Sequence, residues 1–126
     1  MASEDKPRVK ILKLKEGTPF NKGRATSYKV VYPEMGAKRL TLNYGVHEPG
    51  MAFAPHIHER SEDVIVCLQG SGVIRSGEEL IPFEAGDVIY VPEGVLHGTI
   101  NTGDVPLVML SCQAPPDPAL YSQSSE

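Results

Sequence analysis

Three histidines and a pair of carboxylates are the residues whose types and spacing could bind a metal ion. One residue separates His56 from His58, so both imidazoles of an extended segment point to the same side. The acidic pair Glu62-Asp63 follows within five residues, and His97 comes after a glycine-rich region. Imidazoles with a carboxylate form a mixed nitrogen and oxygen donor set. This set predicts one divalent ion per chain and does not distinguish Fe, Mn, Ni, Zn, Co or Cu.

Short β-rich runs, each closed by glycine or proline, must position these side chains. No window of a dozen residues keeps apolar groups at helical spacing, so an all-β protein is predicted. Eight short strands at such spacing are typical of an antiparallel sandwich or barrel. The predicted strands cover residues 9–14, 27–32, 39–47, 63–68, 72–76, 87–91, 97–101 and 105–112.

The chain length, 126 residues, fits one domain. We predict a single domain over residues 1–126, with a barrel core at 27–113, an N-terminal strand at 8–15 and a C-terminal tail at 114–126. Three prolines between positions 115 and 118 cannot continue a central strand, which places the end of the barrel before them.

Charge and hydropathy exclude several classes of partner. The net charge is −4 and no basic run occurs, so no nucleic acid partner is expected. No stretch approaches the ~20 apolar residues of a membrane span, and the charged N-terminus lacks a signal-peptide core. A cytoplasmic protein is therefore expected. Cys67 and Cys112 lie in apolar runs and are predicted to be reduced, buried thiols.

Two segments resemble the conserved motifs of the cupins, and together they span residues 50–101. The first cupin motif is a glycine, five residues, His-x-His, three or four residues, a glutamate, six residues and a glycine. The second is a glycine, five residues, Pro-x-Gly, two residues, a histidine, three residues and an asparagine. The matching positions are Gly50, His56, His58 and Gly70 in the first, and Gly86, Pro92, Gly94, His97 and Asn101 in the second. The resemblance implies a double-stranded β-helix, or jelly-roll, barrel in which the three histidines and a carboxylate hold a metal.

The acidic ligand is ambiguous because the spacing departs from the cupin pattern by one residue. Counting forward from His58 selects Glu62, whereas counting back from Gly70 selects Asp63. Alternation favours Asp63, since it would share the inner face with Ile65 and Cys67. A β-bulge could instead turn Glu62 inward, and a site of three histidines and water needs neither acid.

The pocket beside the metal is predicted from the same alternation. Ile65, Cys67 and Thr99 would line it, although packing is the alternative role of Cys67. His47 lies outside both motifs, so it is either a structural histidine or a group that faces the substrate and could act as an acid or base. Two open positions on a six-coordinate ion would suit a small molecule that chelates through neighbouring oxygens.

The resemblance to the cupins implies fold and metal more closely than reaction, because the family includes many enzymes and binders. We expect a metal-dependent enzyme that acts on a small oxygenated molecule, with a dioxygenase favoured over an isomerase or decarboxylase. The alternative is a non-catalytic cupin that binds a small molecule or sugar, in which the metal is structural or orders the ligand. Apolar residues and lysines in the segment 8–15 favour a homodimer, because the apolar side chains must be buried somewhere.

Overall fold

A computed structural model describes residues 7–21 and 25–117, and it confirms the all-β prediction for that part of the chain. Two 3₁₀ helices, Leu14–Glu16 and Pro33–Met35, are the only helices among the described residues. The nine strands are β1 Thr18–Asn21, β2 Ala25–Val31, β3 Thr41–His47, β4 Glu62–Gln69, β5 Ser71–Ser76, β6 Glu79–Glu84, β7 Val88–Val91, β8 His97–Asn101 and β9 Leu107–Ala114. None of the described helices is long and apolar enough to cross a bilayer.

The strands form two antiparallel sheets. Six strands pair in the order β1-β2-β3-β9-β4-β7, and three pair in the order β6-β5-β8. The last strand, β9, lies between β3 and β4, so chain segments far apart in sequence are neighbours at the centre of the large sheet. The small sheet carries His97 on β8, and the large sheet carries Asp63 on β4.

Strict alternation along β4 separates an inner face from an outer one. Asp63, Ile65 and Cys67 are buried, whereas Glu62 and Val64 are exposed. Below the acidic residue this inner face continues into the apolar core, which consists of Ile65, Cys67, Ile74, Phe83, Val91, Leu107 and Met109. The strand therefore carries one ionisable group toward the site and anchors it with apolar packing.

The two thiols are free, as predicted, and they lie on opposite faces of the sheet. Cys67 is buried in the core, where desolvation raises its pKa. Cys112 pairs with Val64 on the outer face and is only partly buried, so its predicted burial was wrong in degree.

The two ends of the barrel differ from the sequence prediction. Residues 7–13 pair with no other strand among the described residues, and Val9 and Ile11 are 89% and 82% exposed, so the strand predicted at 8–15 is not formed in the described part of the single chain. The first strand is instead β1, which pairs with β2. At the other end β9 includes Ala114, and Pro115 and Asp117 contact the barrel, so residues 114–117 are part of the barrel rather than of the predicted tail. Residues 118–126 lie outside the described part.

Candidate metal centre

The loop that carries His56 and His58 is held by backbone pairing rather than by a strand of its own. His56 and His97 form an isolated β-bridge, in which each backbone N–H donates to the other carbonyl at 2.8 and 2.9 Å. Gly98 permits this close crossing, because a Cβ there would lie 3.0 Å from the Phe53 carbonyl oxygen. Two of the candidate ligands are thus positioned by each other's backbone.

The three histidines come together, with one potential ligand atom from each lying within 4.8 Å of the other two. Their Nδ1 atoms are all engaged away from this point. His56 Nδ1 lies 2.9 Å from the Ala54 carbonyl oxygen, and His97 Nδ1 lies 2.9 Å from the Val95 carbonyl oxygen. His58 Nδ1 lies 2.8 Å from Oδ2 of Asp117.

These contacts fix the tautomers of the histidines. A carbonyl or carboxylate oxygen accepts, so each Nδ1 must carry the proton, which leaves the Nε2 lone pairs for the shared point. A hydrogen bond from the other ring nitrogen to a carboxylate or carbonyl is the arrangement found around histidines that bind metals.

Asp63 is the acidic residue beside this point. Its Oδ2 lies 3.3 Å from His97 Nε2 and 3.6 Å from His58 Nε2, while its buried Oδ1 has no hydrogen-bond partner among the described residues. An ionised carboxylate and two Nε2 lone pairs would repel one another without a cation between them. A proton on His97 or a metal ion would satisfy this arrangement, so the residues fit the metal that their types imply.

Burial and the neighbouring oxygen atoms shift the pKa values of His56 and His97 in opposite directions. Burial lowers the pKa of His56, and its bond to the Ala54 carbonyl offsets this only partly. Burial also acts to lower the pKa of His97, but the bond to Asp63, the bond to the Val95 carbonyl and the Asp63 charge together raise it. In the metal-free protein Asp63 therefore favours a proton on His97 that a metal would displace.

Glu62, the alternative carboxylate, cannot contribute to this centre. It is exposed on the outer face of β4, where its Oε2 accepts a hydrogen bond from the Tyr90 hydroxyl. The regular ladder from Glu62 to Cys67 contains no bulge that would turn the side chain inward. The alternative of Glu62 as a ligand is therefore wrong.

His47 lies behind the site rather than on its surface. The side chain is fully buried, its Nε2 lies 3.1 Å from Thr99 Oγ1, and its ring meets the edge of Phe53 at 4.5 Å between centroids. Burial lowers its pKa, with a smaller opposing effect from the neighbouring Val46 backbone. His47 supports two wall residues but does not reach the cavity itself.

A cavity of about 610 Å³ opens beside the histidines between the two sheets. Ile65 and Thr99 line it, as alternation predicts, but Cys67 does not. Cys67 lies deeper on β4, in contact with the apolar core and with its Sγ 3.6 Å from the Gln69 carbonyl oxygen, so it has the packing role. Further wall residues, which the sequence did not single out, include Phe20, Ser27, Asn43, Phe53, Met109 and Ser111.

The contact between Asp117 and His58 was not predicted from the sequence. Two contacts hold the segment after β9 against the barrel: Ser61 Oγ donates to the Pro115 carbonyl at 2.6 Å, and the Asp117 N–H donates to Gln113 Oε1 at 2.7 Å. The proline-rich composition of this segment predicted a tail. The one signal of a further role is the acidic residue among the prolines, because a carboxylate can support a histidine ligand. The candidate metal centre thus includes a contact from a third, C-terminal part of the chain.

Comparison with known proteins identifies the domain. A family model described as "Cupin domain" matches residues 44–112. Among curated proteins, an uncharacterized protein of Methanocaldococcus jannaschii is 38% identical over 61 residues, which cover 48% of this chain and 49% of that protein. A glucose-6-phosphate isomerase of Pyrococcus horikoshii is 36% identical over 89 residues, covering 65% of this chain and 42% of the isomerase. The chain spans less than half the length of these curated relatives.

Solved structures agree on the fold. A predicted oxalate decarboxylase from Thermotoga maritima is 25% identical with a TM-score of 0.75, covering 85% of this chain and 100% of that one. The polyketide cyclase RemF from Streptomyces resistomycificus is 22% identical, also with a TM-score of 0.75, covering 88% and 82% of the two chains. The activities named for these two proteins differ, so the neighbours share an architecture rather than one reaction.

Proposed function

Since this chain belongs to the cupin domain family, we propose that it binds one divalent metal ion through His56, His58 and His97, with Asp63 as the fourth protein ligand. The observation that carries the proposal is the convergence of the Nε2 atoms, with every Nδ1 engaged elsewhere. The contacts of Asp63 Oδ2 at 3.3 and 3.6 Å suit neighbouring ligands of one ion with bonds of about 2.1 Å.

We further propose that the bound metal serves an enzyme acting on a small oxygenated molecule. When bound, the ion would act as a Lewis acid toward carbonyl or hydroxyl oxygens of the ligand. Phe53 and Ile65 would exclude water from the reacting part of the molecule, and Thr99, held by His47, would orient it by a hydrogen bond. Asp63 Oδ2 would accept a hydrogen bond from the protonated Nε2 of His97 whenever it does not bind the metal.

A dioxygenase is the reaction class that the cavity supports best. Apart from the three histidines and Asp63, none of the described lining residues has an ionisable side chain, so the wall supplies no separate general base. Oxygen insertion relies on the metal rather than on such a base. An isomerase is the second candidate, because one similar protein is a glucose-6-phosphate isomerase; a decarboxylase is a third. A non-catalytic small-molecule or sugar binder is the rival from another class.

Metal content tests the first proposal. Natively purified protein should hold close to one divalent metal per chain by elemental analysis, and His97→Ala should lose it on dialysis against a chelator. Thr102→Val, an exposed position in the loop after β8, is the control and should keep the metal. Full occupancy in His97→Ala would contradict the assignment.

Oxygen uptake tests the reaction class. The Fe²⁺-loaded protein is incubated with a panel of catechols and diketones in an oxygen electrode, with His97→Ala as the control. A dioxygenase places both atoms of O₂ in the product, so one O₂ should disappear for each molecule of substrate consumed. Conversion of fructose 6-phosphate without oxygen uptake would favour the isomerase, and binding without any turnover would favour the non-catalytic alternative.

We also propose a homodimer. Its support is the exposure of apolar side chains on the single chain: Val9 and Ile11 before β1, and Val88 and Tyr90 on the outer face of edge strand β7. A second copy of the chain could cover them, since two-fold pairs are the commonest soluble oligomers. Sedimentation at tens of micromolar should show a dimer, and a monomer would contradict the proposal. If a chain starting at Glu16 remains dimeric, the N-terminal segment is not part of the interface.

A further inference from the structure

The cavity carries a second polar group on the wall formed by the large sheet. Asn43 on β3 lines the cavity and is 9% exposed as a residue, and its side-chain Oδ1 has no hydrogen-bond partner among the described residues. Asn43 pairs with Ser111 on β9, which also lines the cavity. A buried amide beside a hydroxyl is unfavourable unless something binds it, because buried polar groups are normally hydrogen-bonded.

This polar pair is separated from the metal ligands by a defined interval. Asp63 pairs with Gln113 on β9, whereas Ser111 pairs with Ile65, so Asn43 lies two strands and two residues away from Asp63. With strands about 4.8 Å apart and residues about 3.3 Å apart, the two Cα positions are separated by no more than about 12 Å. Side chains that project inward from both positions could contact the two ends of one small molecule.

The charge of the wall restricts what that molecule can be. The described lining residues include no lysine or arginine, so no side chain there could neutralise a phosphate or a second carboxylate. Lys29 pairs with Asn43 on the neighbouring strand β2, but its ammonium lies 5.7 Å from the centre of the Tyr32 ring and the residue does not line the cavity. Asp63, the charged residue that does line the cavity beside the histidines, is acidic. An amide and a hydroxyl instead suit a neutral group that both donates and accepts, which is the chemistry of an alcohol.

We infer that Asn43 and Ser111 form a subsite for a neutral, hydroxyl-bearing end of the ligand, whose other end chelates the metal. This inference rests on the proposed metal site and narrows its substrate class to uncharged hydroxylated molecules. Phosphorylated sugars are disfavoured as ligands of this chain, although one similar protein is a glucose-6-phosphate isomerase.

Three hydroxypyrones that share one chelating head test this subsite. Kojic acid carries a hydroxymethyl group on the ring, allomaltol a methyl group and comenic acid a carboxylate at the same position. Binding to the Zn²⁺-loaded protein is measured by isothermal titration calorimetry. We expect kojic acid to bind about 3- to 10-fold more tightly than allomaltol, the worth of one net hydrogen bond. Comenic acid should bind more weakly than allomaltol.

The variant Asn43→Leu should bring the ratio of kojic acid to allomaltol affinity close to one, while the affinity for allomaltol and the zinc content remain those of the wild type. Because the comparison is a ratio, effects on the shared head cancel. Equal binding of kojic acid and allomaltol by the wild type, or tighter binding of comenic acid, would overturn the subsite alone. Failure to bind Zn²⁺ or any of the three pyrones would overturn the proposed metal site and the subsite with it.

Discussion

Asp117 offers the most direct test of how the barrel prepares His58 for a metal. Its Oδ2 lies 2.8 Å from His58 Nδ1, and the Asp117 side chain is 20% exposed, so the contact is a largely shielded, charge-assisted hydrogen bond. The carboxylate orients the ring and selects the tautomer that leaves Nε2 free. Partners of this kind change metal affinity by roughly 10- to 100-fold when they are removed.

The two substitutions at this position should differ in size. Asp117→Asn keeps an acceptor but removes the charge, so we expect the lower end, about 10-fold or ~1.4 kcal/mol. Asp117→Ala leaves Nδ1 to water and frees the ring to rotate, so we expect a loss closer to 100-fold, about 2.7 kcal/mol. Ser61→Ala removes the bond to the Pro115 carbonyl and should have a smaller effect, because it only loosens the segment that carries Asp117.

Competition with a chromophoric chelator measures these affinities for Zn²⁺ at neutral pH. Asp104→Asn, which removes the same charge from an exposed position in the loop before β9, is the matched control and should bind as the wild type does. Melting of the chelator-treated variants shows whether the barrel remains folded. Zn²⁺ affinity of Asp117→Ala within twofold of the wild type would show that the contact does not prepare His58 for the metal.

Three other perturbations test the remaining parts of the site. Asp63→Asn should weaken Zn²⁺ binding by at least 10-fold, whereas Glu62→Gln should leave it unchanged because the Glu62 side chain bonds Tyr90 on the outer face. The same competition assay measures both affinities, and a larger loss in Glu62→Gln than in Asp63→Asn would refute the register of β4. Removing the metal should lower the melting temperature at pH 7, since a ligand at 100 times its Kd stabilises the fold by about 2.7 kcal/mol; equal melting with and without chelator would contradict this. In chelator-treated protein, the lowered pKa of His47 contributes stability that is present above pH ~6.5 and lost as the pH falls, by at most about 1.4 kcal/mol per pH unit. His47→Gln should therefore flatten the fall in unfolding free energy between pH 7.5 and 5.5, while the raised pKa of His97 acts in the opposite direction in both proteins; an unchanged slope would show that His47 does not titrate there.

Alternation and turn residues were sufficient to predict the central strands, because those strands are buried on one face and closed by glycine. The two strands that the sequence did not reveal, β1 and β6, are both edge strands that contain a proline, Pro19 and Pro82. An edge strand can contain a proline, because one side of its backbone needs no ladder partner, so proline there does not indicate a break. The opposite error occurred at Val9 and Ile11, where an alternating pattern pairs with no strand among the residues that the structure describes.

Some residues of the candidate site could likewise be predicted from the sequence and others could not. The positions of Asp63 and Ile65 follow from the period of a strand, since a one-residue shift would reverse every side chain. Asp117 and Asn43 could not be predicted, because their proximity to the histidines depends on the pairing of β9 between β3 and β4 and on the path taken after it. Local sequence reports the direction of a side chain, whereas the distance between two segments depends on the whole topology.

The bridge between His56 and His97 has a consequence for the rate at which an ion could leave. The loop carrying His56 cannot move away from β8 without giving up both backbone hydrogen bonds of the bridge. Displacement of the loop and loss of the bridge are therefore one event, and an ion that leaves by this route would dissociate no faster than the loop opens. The amide protons of His56 and His97 report that opening directly, so their hydrogen exchange should slow together when a metal is bound and should set the upper limit of the off-rate by this route.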